Sequence, residues 1–183
     1  MFTQKNLLIA TAGLLVVGGA AQAANLPLME MEPNDTIDTA NFIDSSNLTN
    51  GGLAIDGTLG QNDVDFFSFE FQAGDFVTFS VFDFTPEDGF DNDSFLGIFN
   101  PDGSLLDTDD DDGPGFLSSY AFFVPADGIY SFAVTGFGDL DFVGDHEENF
   151  DYKVVVGYNP IPGPAAAALF GLAGLAGRRR RRG

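Results

Sequence analysis

The 183-residue chain has no cysteine and no tryptophan, a single histidine, and seven basic residues against 28 acidic ones. Without cysteine there is no disulfide staple, no thiol nucleophile and no thiolate metal site, so a folded exported domain must rest on its core or on an ion held by oxygen atoms. A single histidine excludes the His-Glu-x-x-His zinc motif, and no Gly-x-Ser-x-Gly or phosphate-binding loop is present. The shortage of positive charge excludes nucleic acid and anionic lipid as partners of most of the chain, because a surface this acidic repels both. Six of the seven basic groups sit at the ends, Lys5 and Arg178 to Arg182, which leaves only Lys153 in between.

The ends read as targeting segments. Lys5, the apolar stretch "LLIATAGLLVVGGA" and the small-x-small triplet Ala21-Gln22-Ala23 predict an export signal over residues 1–23, cleaved after Ala23. The alternative, an uncleaved anchor, is disfavoured by the short apolar run. At the other end, "NPIPGPAAAALFGLAGLAGRRRRRG" joins a Pro-rich hinge, 13 apolar or small residues from Ala165 to Gly177, and five arginines. Thirteen residues fall short of the roughly 20 that span a bilayer, and arginines after an apolar run stay on the cytoplasmic side. An inert basic extension is the alternative. This three-part end resembles the PEP-CTERM sorting signals of exported bacterial proteins, with Pro162-Gly163-Pro164 where Pro-Glu-Pro is usual. The resemblance implies an exosortase-type sorting enzyme as partner and membrane contact through the tail before processing. It also implies a destination in the cell envelope or outside the cell. The expected organisation is a signal peptide over 1–23, one domain over 24–160 and a sorting tail over 161–183.

The middle segment of 137 residues has a formal charge of −27, 28 acids against one lysine. Divalent cations or a high-salt habitat would each suit such a surface. Of the chain's 21 phenylalanines, all but Phe2 and Phe170 lie in it; they make it too hydrophobic for a disordered acidic tail and supply large buried area with no polar atom to satisfy. Period-two alternation dominates from residue 53 onward. Phe67, Phe69 and Phe71 share one face of "DFFSFEF", and Val77, Phe79 and Val81 one face of "FVTFSVFDF". "SFLGIFNPDGSLLDT" and "SSYAFFVPADGIYSFAVTGF" read as strand, turn, strand, and "FDYKVVVGY" as a last strand. About eight strands, no helix and frequent Gly and Asp turns predict an all-β domain, a single jelly-roll-like β-sandwich. Acidic loops are expected at 85–94, 107–115 and 138–149, and a polar, turn-rich stretch ahead of residue 53.

The acids cluster. "DTDDDDGPG" places Asp107, Asp109, Asp110, Asp111 and Asp112 within six positions, and charges about 5 Å apart repel by roughly 0.8 kcal/mol each even in water. Either the run is a solvated loop or a cation sits among its carboxylates, with Asp107, Asp109 and Asp111 projecting to one side of an extended segment. It is not an EF-hand, because Asp112 stands at the sixth position and Ser118 at the twelfth. Elsewhere, "MEPNDTIDTAN", "GTLGQNDVDFFSFEFQAGD", "DSFLGIFNPDGSLLDTDDDDGPG" and "GIYSFAVTG" follow one another in an order that resembles the bacterial pre-peptidase C-terminal (PPC) domain, over roughly residues 30–158. The resemblance implies a β-sandwich that often carries calcium, with ligands at Glu30, Glu32, Asn34, Asp35, Asp63 and Asp65. Calcium takes six to eight oxygens at about 2.3–2.6 Å, and two short acidic segments brought together can supply them.

His146, in "GDHEEN", is expected to be an exposed loop residue and not a general base. The sequence therefore predicts an exported, non-enzymatic, calcium-stabilised β-sandwich of the envelope or extracellular matrix that binds matrix polysaccharide or protein. A surface component without a specific ligand, or a small hydrolase, are the alternatives. Exposed aromatics on one sheet face would favour the binding role.

Overall fold

The computed structural model describes residues 26–48, 51–84 and 92–161. The signal peptide, the sorting tail and residues 85–91 of the first acidic loop lie outside them, and no helix of the described residues is long and apolar enough to cross a membrane.

Ten strands form two five-stranded sheets. In chain order they are β1 (Leu28–Met29), β2 (Asn41–Ile43), β3 (Gly52–Leu59), β4 (Asp65–Phe71), β5 (Phe76–Asp83), β6 (Ser94–Phe99), β7 (Leu105–Asp109), β8 (Ser119–Phe123), β9 (Gly128–Gly136) and β10 (Phe150–Asn159). The first sheet runs β1-β3-β10-β5-β8 and the second β2-β4-β9-β6-β7. The eight longer strands, β3 to β10, thus take jelly-roll order, changing sheet at every connection but the β6–β7 hairpin, and the expected β-sandwich is the observed architecture. The two further strands lie in the stretch expected to be only turns. Each is two or three residues long and pairs parallel to a neighbour, β1 with β3 and β2 with β4. Segments that short carry no readable period.

Alternation places the core. Phe67, Phe69 and Phe71 face inward from β4 and meet Val77, Phe79 and Val81 of β5, Phe132 of β9, and Tyr152, Val154 and Val156 of β10. Phe132 is the hub, with ring centroids 4.4 Å from Phe79, 5.0 Å from Phe67 and 5.8 Å from Phe69. Burying each such side chain contributes about 1.5–3 kcal/mol.

The segment 138–149 is the expected acidic loop, and it folds back onto the second sheet. Its Phe142 packs against Phe95 and Phe99 on the outer face of the second sheet, in a small second core with Val64, Phe66 and Ala133 that Ile37 and Ala40 flank. Asp139 is fully buried beneath it, where its carboxylate accepts hydrogen bonds from the Thr135 hydroxyl and the Val143 and Gly144 N–H groups. Gly97 makes room for the ring, since a Cβ there would lie 2.3 Å from Phe142 Cζ.

Candidate metal centre

Three pieces of chain converge at the β2–β4 side of the sandwich. After β1, the segment 30–35 leaves the first sheet and crosses to the second. It is pinned by Glu30 N–H on the Asp56 carbonyl and by the Asn34 carbonyl, which accepts from Phe66 N–H at 2.9 Å. The Glu32–Pro33 peptide within it is cis. The β3–β4 turn brings Asp63 and Asp65, and Tyr152 arrives from β10.

Glu30, Glu32 and Asp65 each present a carboxylate oxygen within 4.8 Å of the other two, and Glu32, Asp35 and Asp63 form a second such trio that shares Glu32. The Asp65 side chain is fully buried. Its Oδ2 accepts from the Tyr152 hydroxyl at 2.7 Å, while Oδ1 has no hydrogen-bond partner. Asn34 is likewise 0% exposed, and neither its side-chain oxygen nor its nitrogen has a partner. A buried amide and a buried carboxylate oxygen left unpaired cost several kcal/mol unless something else binds them. Glu30 accepts from Thr58 N–H at 2.7 Å through Oε1 and from the Tyr152 hydroxyl at 3.2 Å through Oε2. Glu32 accepts from Asn34 N–H and Asp63 from Gly60 N–H, which fixes one oxygen of each. Gly57 is required beneath this contact, because a Cβ there would meet Tyr152 Cζ at 2.4 Å and Glu30 Oε2 at 2.5 Å.

The electrostatics are those of acids crowded without a counter-charge. Burial, with the nearby Glu30 charge second, pushes the Asp65 carboxyl up to about 9. Burial also raises Glu30 and Glu32. Tyr152 is raised well above its ordinary value by burial and then by the two carboxylates beside it, so it stays a hydrogen-bond donor. The donor set is all hard oxygen, carboxylates with one amide, with two orphaned buried groups. These residues fit a divalent cation of the calcium type and not a thiolate or imidazole metal.

Of the six residues proposed from the PPC resemblance, Glu30, Glu32, Asp35, Asp63 and Asp65 therefore come together in the two trios, and Asn34 lies on the same 30–35 segment with its carbonyl bonded to Phe66 N–H. Asp107, Asp109 and Asp111 do not join them. They sit on and beyond β7, the edge strand at the opposite end of the second sheet from β2. There Asp107 accepts from the Tyr120 hydroxyl at 2.6 Å and Asp109 from Ser119 N–H at 2.6 Å, and Asp111 is exposed. Hydrogen bonds from Tyr120 and Thr108 hold the Asp107 carboxyl below its ordinary value. The crowded run is in part a hydrogen-bonded lacing between β7 and β8.

His146 departs from expectation. It is 7% exposed, with Nε2 at 2.7 Å from the Asp63 carbonyl and Nδ1 accepting from Glu148 N–H at 3.1 Å. Both ring nitrogens are engaged by main chain, and the imidazole buttresses the Asp63 turn. Tyr152 and Gly57 are the other parts of the centre that sequence reasoning missed. Tyr152 had a signal, an inward-facing hydroxyl in register with Val154 and Val156 that needs a buried partner.

No protein-family model matches the chain, and no curated protein matches it. Among solved structures, it is similar to Aeromonas hydrophila PliG, a periplasmic lysozyme inhibitor of g-type lysozyme, at 15% identity and a TM-score of 0.46, covering 66% of this chain and 97% of that one. It is also similar to the pre-peptidase C-terminal domain of collagenase from Bacillus anthracis, at 16% identity and 0.44 over 64% and 93%. A third is Salmonella Typhimurium PliG, at 18% identity and 0.44 over 66% and 100%.

Proposed function

We propose that the protein is an exported, non-enzymatic β-sandwich module of the cell envelope or extracellular matrix, locked by a calcium ion between its 30–35 segment and its 63–65 turn. The observation that carries this reading is the pair of fully buried, unpartnered groups, the Asn34 amide and Asp65 Oδ1, among carboxylates with no cation of their own. Glu30, Glu32, Asp35 and Asp63 would complete the oxygen set. The tail at 161–183 serves as the address read by an exosortase-type enzyme. A hydrolytic role is disfavoured because both nitrogens of the sole histidine are already bonded to main chain.

Isothermal titration with calcium tests the metal reading. Wild-type protein binds the ion, Asp65→Asn and Asn34→Leu each weaken binding by at least about ten-fold, and Glu70→Gln, an exposed acid near the other end of β4 from Asp65, leaves it unchanged. Equal effects of all three substitutions would mean that diffuse charge and not a site attracts the ion.

A further inference from the structure

On the second sheet the outward aromatics of the inner strands, Phe66, Phe95 and Phe99, are covered by Phe142 and its loop, while Phe42 on the edge strand β2 is exposed. On the first, Phe123 is 70% exposed, Phe84 50% and Phe82 39%. We propose that this outer face of the first sheet is the docking surface of the module, and that its ligand is an extended, uncharged polysaccharide lying across the strands. The proposal rests on the reading of the protein as a non-enzymatic exported binding module and names the ligand class.

The register lays out the surface. Two rows of small or short residues cross the four strands, Ala54–Val155–Ser80–Ser119 and Gly52–Gly157–Thr78–Ala121. Phe76 and Phe123, with ring centroids 4.9 Å apart, bound them on one side, and Phe82 bounds them on the other. Six residues along β5 separate Phe76 from Phe82, about 20 Å. The result is a low band between aromatic shoulders that runs from strand to strand. Sugar rings present flat C–H faces that lie on aromatic rings and equatorial hydroxyls that pair with hydroxyl side chains. Phe76, Phe123 and Phe82 supply the first kind of contact, and Thr78, Ser80 and Ser119 the second.

Charge selects the ligand. The domain holds 28 acids, yet neither row contains one, and among the described residues the acids on the same face of β3 and β10 are Asp56 and Asp151. Asp56 is paired with Lys153, the single base of the domain, whose ammonium also lies 4.9 Å from the Phe84 ring. Asp151 accepts from the Thr58 hydroxyl. The described face thus carries a single carboxylate without a counter-charge, on a body of formal charge −27. A polyanion is repelled by that body, a polycation finds more charge on the acidic loops, and a second copy of the chain brings a second set of acids with it. A neutral polymer meets none of these penalties.

The test uses the full chain in mild nonionic detergent, with microcrystalline cellulose, mixed-linkage β-glucan and mannan as probes and polygalacturonate as the anionic control. Wild-type protein is expected to be retained on at least one neutral polymer, and to remain so near 1 M salt, where screening acts within about 3 Å. Phe123→Ala and Phe82→Ala should each weaken retention about ten-fold, a change equivalent to about 1.4 kcal/mol. Phe42→Ala, an exposed aromatic at the far edge of the other sheet, should not. No retention on any neutral polymer, equal retention of all variants, or a Phe123→Ala effect confined to self-association would overturn the proposal, the last by making the face an interface between copies. Thermal melts of the same samples with and without calcium keep the two readings apart. Lost polymer binding with an intact calcium effect rejects the docking face alone, and the converse rejects the metal centre alone.

Discussion

Removing calcium should loosen the sandwich by an amount the geometry sets. Carboxylate oxygens within 4.8 Å of one another repel by about 3.5 kcal/mol or more per ionised pair at an effective dielectric constant of about 20. The metal-free protein escapes most of this by keeping the Asp65 proton, which is why that carboxyl is pushed up to about 9. Its folded-state affinity for protons thus exceeds the unfolded one, near 4. Between those limits folding takes up a proton, so metal-free stability falls as pH rises from about 4 to about 9. On the proposed reading, calcium would replace the proton and remove the slope. At free calcium 100-fold above its dissociation constant the domain gains about 2.7 kcal/mol, which for a domain of this size is about 10 °C in melting temperature. Two measurements on the 24–160 fragment check the reasoning. Differential scanning calorimetry at fixed ionic strength should give a calcium increment larger at pH 8 than at pH 5. Titration calorimetry in buffers of different ionisation enthalpy should report about one proton released per ion at pH 7. A melting temperature indifferent to calcium and chelator at pH 8 refutes the site, and an increment that shrinks as pH rises refutes the Asp65 account.

Three further outcomes are expected. Burial, then the Asp110 charge, raises Asp93 to about 6, so its ionisation opposes folding above that pH. Asp93→Asn should raise the melting temperature at pH 7.5 with the gain vanishing below about pH 4, and no change at pH 7.5 refutes this. Gly97→Ala should cost about 1–3 kcal/mol by displacing Phe142; denaturant melts should show that cost disappearing in a Phe142→Ala background, and a cost that persists places the strain elsewhere. Mass spectrometry of protein from cells should find a C-terminus near Pro164, whereas an intact Gly183 would mean that the tail is a permanent anchor or an inert extension.

The strands were legible because one face of each is dry. A buried face forces the period-two pattern of Phe67, Phe69 and Phe71 or of Val77, Phe79 and Val81, and the turns between carry Gly and Pro. The pairing of β1 and β2 was not legible, since two or three residues cannot show a period. The metal-site residues could be picked out by motif, yet not their company. Tyr152 lies 87 positions from Asp65 and 122 from Glu30, and only the jelly-roll order brings β10 beside β3 at that level. His146 was misjudged for the same reason. In "GDHEEN" nothing marks a buried ring, because what buries it is the Asp63 turn, far away in sequence.

Outward positions expose the deeper limit. Phe66 and Phe95 on one sheet, and Phe76 and Phe82 on the other, all break the rule that the solvent face of an alternating strand is polar, and in sequence they are equivalent. What separates them is whether a loop returns to cover them. The segment 138–149 is the acidic loop its composition predicts, but nothing in that composition says where it folds. In the fold, Asp139 spends its charge on N–H groups of its own loop, and that bonding shapes the segment so that Phe142 can close over Phe95 and Phe99. Acids in this chain therefore do two opposite jobs. Some, like Asp139 and Asp109, are consumed as hydrogen-bond acceptors that tie loops down. Others, at Glu30, Glu32 and Asp65, are packed together with too few donors to satisfy them. Composition cannot tell the two apart, but the surroundings of each carboxylate do: Asp93 Oδ1 and Asp110 Oδ1 lack a partner just as Asp65 Oδ1 does, and what marks the 30–35 segment and the 63–65 turn as the candidate cation site is the trio that Asp65 forms with Glu30 and Glu32.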